Sequence, residues 1–81
     1  MTAYSYTKKT QEDIVLLEVS PMPDWQEFGE FIEVFLLNEK AQLIANDYGM
    51  DRHQVRYRIN DRSYILQFEH YTGSIWIEND Y

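Results

Sequence analysis

Two histidines and an aspartate are the residues of this sequence whose types and spacing could support catalysis or metal binding. They are Asp51, His53 and His70. A predicted hairpin places His70 opposite Asp51 and diagonal to His53, and two imidazoles with one carboxylate can hold a divalent metal with open positions for hydrolytic or oxygen chemistry. Because no further group is visible to support a metal, the ordinary interpretation is a hydrogen-bonded cluster at the end of a sheet. A small metal- or ligand-binding site therefore stays as the alternative function, and no cofactor is predicted.

Other residues of catalytic type do not share a usable surface. Alternation along a strand sends Glu69 and His70 to opposite faces, so they cannot act on one proton. Glu69 and Glu78 share a face, but an open sheet offers no cleft for a substrate. Ser63 and Ser74 have no histidine within reach on their own face. The three glycines form no phosphate-binding loop. We therefore expect no enzymatic activity.

Trp76 indicates protein binding instead. In the predicted sheet it lies on the face away from the helix, beside Arg56 and Ile65, and an exposed tryptophan with an arginine nearby is typical of an interface anchor. Two alternatives remain open. The N-terminal arm could cover this face with Tyr4 and Tyr6, or the last strand could take the other register and bury Trp76. The predicted function is a protein-interaction domain that binds another protein or itself through this outer face.

A second candidate surface lies on the predicted helix. Glu27 and Glu30 lie opposite its apolar stripe, with Val34 among the acidic residues. Acidic groups mixed with aliphatic ones can dock a basic partner. The alternative is an ordinary solvated helix face.

Composition limits the remaining functions. The chain has 81 residues, enough for one domain, and its 14 acidic residues against 7 basic ones give a net charge of -7. That charge disfavours phosphate backbones and anionic membranes, so the arginine stripe Arg52, Arg56 and Arg58 is not expected to bind nucleic acid. Cysteine is absent, and no apolar run approaches the roughly 18 residues of a membrane span. We expect a cytoplasmic protein with no membrane partner.

The elements that position these residues can be predicted from periodicity. Residues 14–19 form an apolar, β-branched run typical of a buried strand. Asp24 and Glu27 have the spacing of an acidic capping box, which predicts a helix that begins there and ends near Asn38. Its apolar stripe comprises Trp25, Phe28, Phe31, Ile32, Phe35 and Leu36. For residues 41–45 we favour a strand over a continuation of the helix.

The C-terminal half predicts three antiparallel strands. A two-residue loop at Asn60 and Asp61 fixes a hairpin that pairs Ile59 with Arg62 and, at its far end, Arg52 with Glu69. A loop from Tyr71 to Ser74 then places Ile75 and Ile77 on the core face and Trp76 and Glu78 on the outer face. The predicted fold is α+β, with one amphipathic helix on one face of a four- to five-stranded, mainly antiparallel sheet in the order β-α-β-β-β-β. Residues 1–12 are predicted to be a flexible arm and residues 13–81 the single domain.

The C-terminal segment also resembles a known bacterial family. Glu69-His70-Tyr71 followed by Ser74-x-Trp76-x-Glu78 is similar to the ending of the family called domain of unknown function 3630. The helix start at Asp24-Trp25 and the segment Asp51-Arg52-His53 look similar too. The resemblance covers about two thirds of the chain, excluding the N-terminal arm. It implies a small cytosolic bacterial protein and supplies no catalytic residues.

Overall fold

The fold is a six-stranded antiparallel sheet with one helix on one face. A computed structural model describes residues 3–80 of the chain. In chain order the elements are β1 (Ser5–Gln11), β2 (Ile14–Ser20), α1 (Phe28–Glu39), β3 (Gln42–Tyr48), β4 (Arg52–Ile59), β5 (Arg62–Glu69) and β6 (Ser74–Asn79). The strand order across the sheet is β1-β2-β6-β5-β4-β3. The predicted α+β class is confirmed, and the sheet is slightly larger than predicted because β1 adds a strand.

The core lies between α1 and one face of the sheet. Four helix residues are buried, namely Phe28, Phe31, Ile32 and Phe35. They meet the inward side chains of the central strands, which comprise Val55, Tyr57, Leu66, Phe68, Ile75 and Ile77. The packing is largely aromatic, as shown by Phe28 against Phe68 with ring centroids 4.6 Å apart and Phe35 against Tyr57 at 5.3 Å. Ring pairs of this kind stabilise beyond the area they bury.

The helix begins one turn later than predicted. The capping-box contacts do form: Asp24 Oδ1 accepts hydrogen bonds from the backbone of Gln26 and Glu27, and Glu27 Oε1 accepts one from the backbone of Asp24. They close a separate turn over residues 24–27, and α1 starts at Phe28. Trp25 therefore does not join the apolar stripe. Its side chain is 62% exposed, and its placement in the core was wrong.

The β4–β5 hairpin has the predicted register at every position. Arg52 pairs with Glu69, Ile59 with Arg62, and the six pairs between them also agree. Asn60 adopts a φ of 56° at the turn, a conformation that asparagine tolerates. Residues 41–45 were correctly predicted as extended, since β3 begins at Gln42. The helix stops at Lys40, which takes a left-handed φ of 54°.

The N-terminal segment differs from its prediction. The sequence predicted a loose arm over residues 1–12, of which residues 1 and 2 lie outside the described residues. Ser5–Gln11 instead form β1 and pair with β2 along their whole length. Tyr6 packs against Phe31 and Phe35 on the helix side and donates a 2.7 Å hydrogen bond to Glu39 Oε2. Partial burial alone raises the pKa of Glu39, but hydrogen bonds from Lys8 and Tyr6 outweigh it and lower that pKa. These contacts join β1 to the end of α1.

Candidate functional site

The outer sheet face, meaning the face opposite α1, is left uncovered by the described chain. Side chains directly opposite one another on neighbouring strands point to the same face. Leu17 and Ile75 pair on the helix side, and Tyr6, which pairs with Val19 two residues from Leu17, lies on the same side. Tyr4 also packs on Phe31 of the helix. Tyr4 and Tyr6 thus belong to the core side and do not form a lid over Trp76. No element of residues 3–80 lies on the outer sheet face.

Trp76 lies near the centre of the outer sheet face, opposite Leu16 on one side and Gln67 on the other. Its neighbouring cation is Arg52, whose guanidinium carbon is 5.4 Å from the ring centroid. Arg52 Nη1 also donates to Gln67 Oε1 at 3.3 Å, and Gln54 Nε2 donates to the same oxygen at 3.1 Å. Gln67 is 5% exposed. The predicted neighbour of the tryptophan was Arg56, so the arginine in contact with it was misidentified. The ring is half-buried, so its prediction as an exposed tryptophan was also wrong.

Arg56 and Ile65 nevertheless share a row with an acidic residue. Arg56 pairs with Ile65 across β4 and β5, and Ile65 pairs with Glu78 across β5 and β6. Ile65 and Glu78 are half-buried and Arg56 is exposed. Within residues 3–80 neither Arg56 nor Glu78 forms an ion pair, because Lys8–Glu39 is the one present there. The row thus presents a cation, an aliphatic side chain and an anion in sequence across the outer sheet face.

The acidic face of α1 is less available for binding a partner than the sequence predicted. Val34 is half-buried and packs against the core. Glu27 and Glu30 are exposed, but both lie at the start of α1. Acidic side chains there favour the positive end of the helix dipole. They therefore have a structural role whether or not a partner binds.

Asp51, His53 and His70 meet at the end of the sheet, although not as a ligand set. Asp51 uses its backbone oxygen to accept a 3.0 Å hydrogen bond from His70 N. His53 is 2% exposed, donates from Nε2 to Asn46 Oδ1, and packs against the tilted ring of Tyr48 with ring centroids 4.0 Å apart. Burial and, secondly, the nearby His70 lower the pKa of His53. Among residues 3–80 no group of three or more His, Cys, Asp and Glu side chains is placed to hold a metal ion.

The same end of the sheet holds a pocket that sequence reasoning missed. We call it the histidine pocket; it has a volume of about 290 Å³ and is lined by Trp25, Tyr48, Gly49, Met50, His53 and His70. Tyr48 is 73% exposed and Met50 97%. His70 Nε2 is buried and has no hydrogen-bond partner within residues 3–80. Large apolar residues in turns, as in Tyr48-Gly49-Met50, are a signal that could have found this pocket.

Gly49 fixes the turn that forms one wall of the histidine pocket. Its backbone nitrogen donates a 2.7 Å hydrogen bond to Arg52 O. A Cβ at position 49 would lie 2.8 Å from that same oxygen, which is closer than a side chain can approach without moving the backbone. Glycine is therefore required for the close approach of β3 to β4 at this turn.

Comparison with known proteins finds a family match. A family model described as "Protein of unknown function (DUF3630)" matches residues 4–81. The match confirms the resemblance seen in the C-terminal segment and extends it to the N-terminal strand, which the sequence comparison had left out. No curated protein and no solved structure matches the chain. No helix within residues 3–80 is long and apolar enough to cross a membrane.

Proposed function

The chain belongs to the family described as protein of unknown function (DUF3630), and from that premise we propose that it is a non-enzymatic interaction domain that self-associates through the outer sheet face. The single observation that carries this proposal is Trp76, which lies on a sheet face that no element of residues 3–80 covers. Leu16 lies opposite it, and Ile65 is its diagonal neighbour on β5. Aromatic anchors surrounded by aliphatic and polar neighbours are typical of interface centres.

The row Arg56, Ile65 and Glu78 favours a second copy as the occupant. A two-fold axis parallel to the strands and passing over Ile65 brings each Ile65 against its counterpart. The same rotation places Arg56 of one copy opposite Glu78 of the other, twice. An isologous interface needs this kind of self-complementarity. Charges that lack ion-pair partners within one copy then become paired between copies.

The size of the outer sheet face determines how strongly two copies are expected to associate. Strands about 4.8 Å apart and about 20 Å long give an overlap of roughly 400 Å² per copy when the axis lies over β5. That corresponds to roughly 800 Å² in total, which is in the range of weak and transient interfaces. We therefore expect a dimer that dissociates on dilution.

The experiment is sedimentation velocity on the full chain over a concentration series up to about 1 mM. The wild-type chain should dimerise, and Trp76→Ala should weaken the association at least about tenfold. Tyr71→Ala is the control, because it removes an aromatic ring, 81% exposed, from the β5–β6 turn rather than from the outer sheet face, where Trp76 is half-buried. A wild-type chain that stays monomeric throughout the series, or a dimer that Trp76→Ala leaves unchanged, overturns the proposal.

A charge exchange tests the proposed symmetry. Arg56→Glu alone and Glu78→Arg alone each place like charges opposite one another, so each variant should dimerise less than the wild-type chain. An equimolar mixture of the two variants restores both opposite-charge pairs and should recover dimerisation as a heterodimer. If the mixture associates no better than the separate variants, the axis over Ile65 is wrong.

A further inference from the structure

The histidine pocket lies at the sheet end, away from the outer sheet face, and its walls differ in chemistry from their surroundings. Its lining combines two aromatic rings, Trp25 and Tyr48, with Gly49, Met50 and the two histidines. Trp25 and Tyr48 are both more than half exposed, although large aromatic side chains gain free energy by burial. Tyr48 packs against His53 on one side, and the remaining exposed surfaces of Trp25 and Tyr48 can contact a guest.

Acidic residues outnumber basic ones around the histidine pocket. Asp24 precedes Trp25, and Glu27 follows it in the same turn. Asp47 and Asp51 flank the Tyr48-Gly49-Met50 segment and line an adjoining depression with it. The nearest cation along the chain, Arg52, turns to the outer sheet face and lies over Trp76. Arg52 also lines that depression, but the four carboxylates outnumber it, so the field around the pocket is negative overall.

We propose that the histidine pocket binds the cationic side chain of a lysine or arginine from a basic partner protein. Aromatic faces attract cations held within about 6 Å of the ring centre. The surrounding carboxylates add attraction of the same sign. A volume of about 290 Å³ is just below the usual range for small-molecule pockets, which fits one long side chain rather than a whole cofactor.

The two histidines of the pocket are compatible with a bound cationic side chain. His70 Nε2 is buried with no hydrogen-bond partner within residues 3–80, and an unpaired buried nitrogen is costly. In the tautomer with its proton on Nδ1, this nitrogen accepts a hydrogen bond from an ammonium or guanidinium group. His53 already donates to Asn46, and its lowered pKa keeps it uncharged at neutral pH. It therefore does not repel a cation.

The test uses three short peptides on the full chain. They are acetyl-Gly-Gly-Lys-Gly-Gly-amide and its counterparts with arginine or norleucine at the centre. Binding is followed by the backbone amide shifts in nitrogen-15 NMR spectra. At least one cationic peptide should bind with a dissociation constant of a few mM, about tenfold tighter than the norleucine peptide. Shifts should centre on residues 25, 48–50, 53 and 70, and the tighter of the two cationic peptides identifies the preferred side chain.

Two variants separate this pocket from general attraction to an acidic protein. Trp25→Ala should weaken binding of the cationic peptide about fivefold or more, because it removes one aromatic wall. Leu37→Ala is the control, since Leu37 is 78% exposed on α1 and lines no part of the pocket. Equal binding of the norleucine peptide, no cationic binding up to about 10 mM, or equal effects of the two variants overturns the proposal. This result does not depend on dimerisation, because Trp76 and Ile65 are not involved.

Discussion

The two faces of the sheet come from the same six strands but are held by different interactions. On the helix side, the single ring of Phe31 has four aromatic neighbours, with ring centroids 5.7 to 6.0 Å apart. They are Tyr4, Tyr6, Phe28 and Phe35. On the outer sheet face, one tryptophan is surrounded by hydrogen-bonded glutamines and an arginine. The first arrangement is buried between helix and sheet, whereas the second combines a half-buried ring with the buried Gln67 and the exposed Arg52.

This difference separates stability from binding. Buried rings stabilise the fold because they remove apolar surface from water and pack closely against one another. Exposed side chains contribute little to the free energy of folding of one copy, so residue types suited to binding a partner can occupy these positions. The helix side should therefore control the free energy of unfolding, and the outer sheet face should control association.

The largest expected effect comes from the centre of the helix side. Phe31→Ala removes a fully buried ring with four aromatic neighbours and should lower the free energy of unfolding by about 3–5 kcal/mol. Urea denaturation followed by circular dichroism measures it. Leu37→Ala on the same helix should change that free energy by less than about 0.5 kcal/mol. A loss below about 1 kcal/mol for Phe31→Ala would contradict the role of the aromatic cluster.

A smaller effect should come from pH, through the single buried imidazole of His53. Its pKa is lowered in the folded chain by burial and then by His70. Below about pH 6.5, the unfolded chain therefore binds more protons than the folded one, until the folded pKa is reached. The stabilising contribution is complete above about pH 6.5 and is lost as the pH falls through that window.

The measurement is the free energy of unfolding at several values between about pH 7.5 and 5.5. His53→Gln removes the titrating group and should flatten the slope in this range, even if the variant is less stable overall. His70→Gln should keep most of the slope, because burial is the leading cause of the shift. Equal slopes in the wild-type chain and His53→Gln would assign the pH dependence to other groups.

The parts of the fold that the sequence predicted depend on local patterns. The β4–β5 register follows from a two-residue turn and strict alternation, which leave one pairing that buries Val55 and Leu66 together. The buried stripe of α1 follows from helical periodicity, but Trp25 fell outside it because the Asp24–Glu27 contacts close a turn of their own. A capping pattern shows that a turn begins and does not fix how far the helix continues.

The remaining parts depend on contacts distant in sequence. Tyr6 is the one large apolar residue of β1, so alternation of apolar and polar residues does not reveal this strand. The contacts of Tyr6 are distant in sequence: it pairs with Val19 on β2 and donates a hydrogen bond to Glu39 at the end of α1. The residues around Trp76 depend on the β5–β6 loop, predicted over residues 71–74 and observed over residues 70–73. That shift places Trp76 opposite Gln67. Which arginine then reaches across β5 to the ring is decided by side-chain geometry, which the periodicity of the sequence does not predict.

The smallest expected effect tests whether the outer sheet face stabilises the fold at all. Gln67 is almost fully buried there, and its side-chain oxygen accepts hydrogen bonds from Arg52 and Gln54. Gln67→Leu keeps a similar volume but removes the acceptor, and the exposed Arg52 can turn to water. The free energy of unfolding should fall by about 1 kcal/mol or less. Gln67→Glu keeps the acceptor oxygens and is the control for the lost hydrogen bonds. If Gln67→Leu costs as much as Phe31→Ala, the polar network is part of the core, and the separation of stability from binding fails.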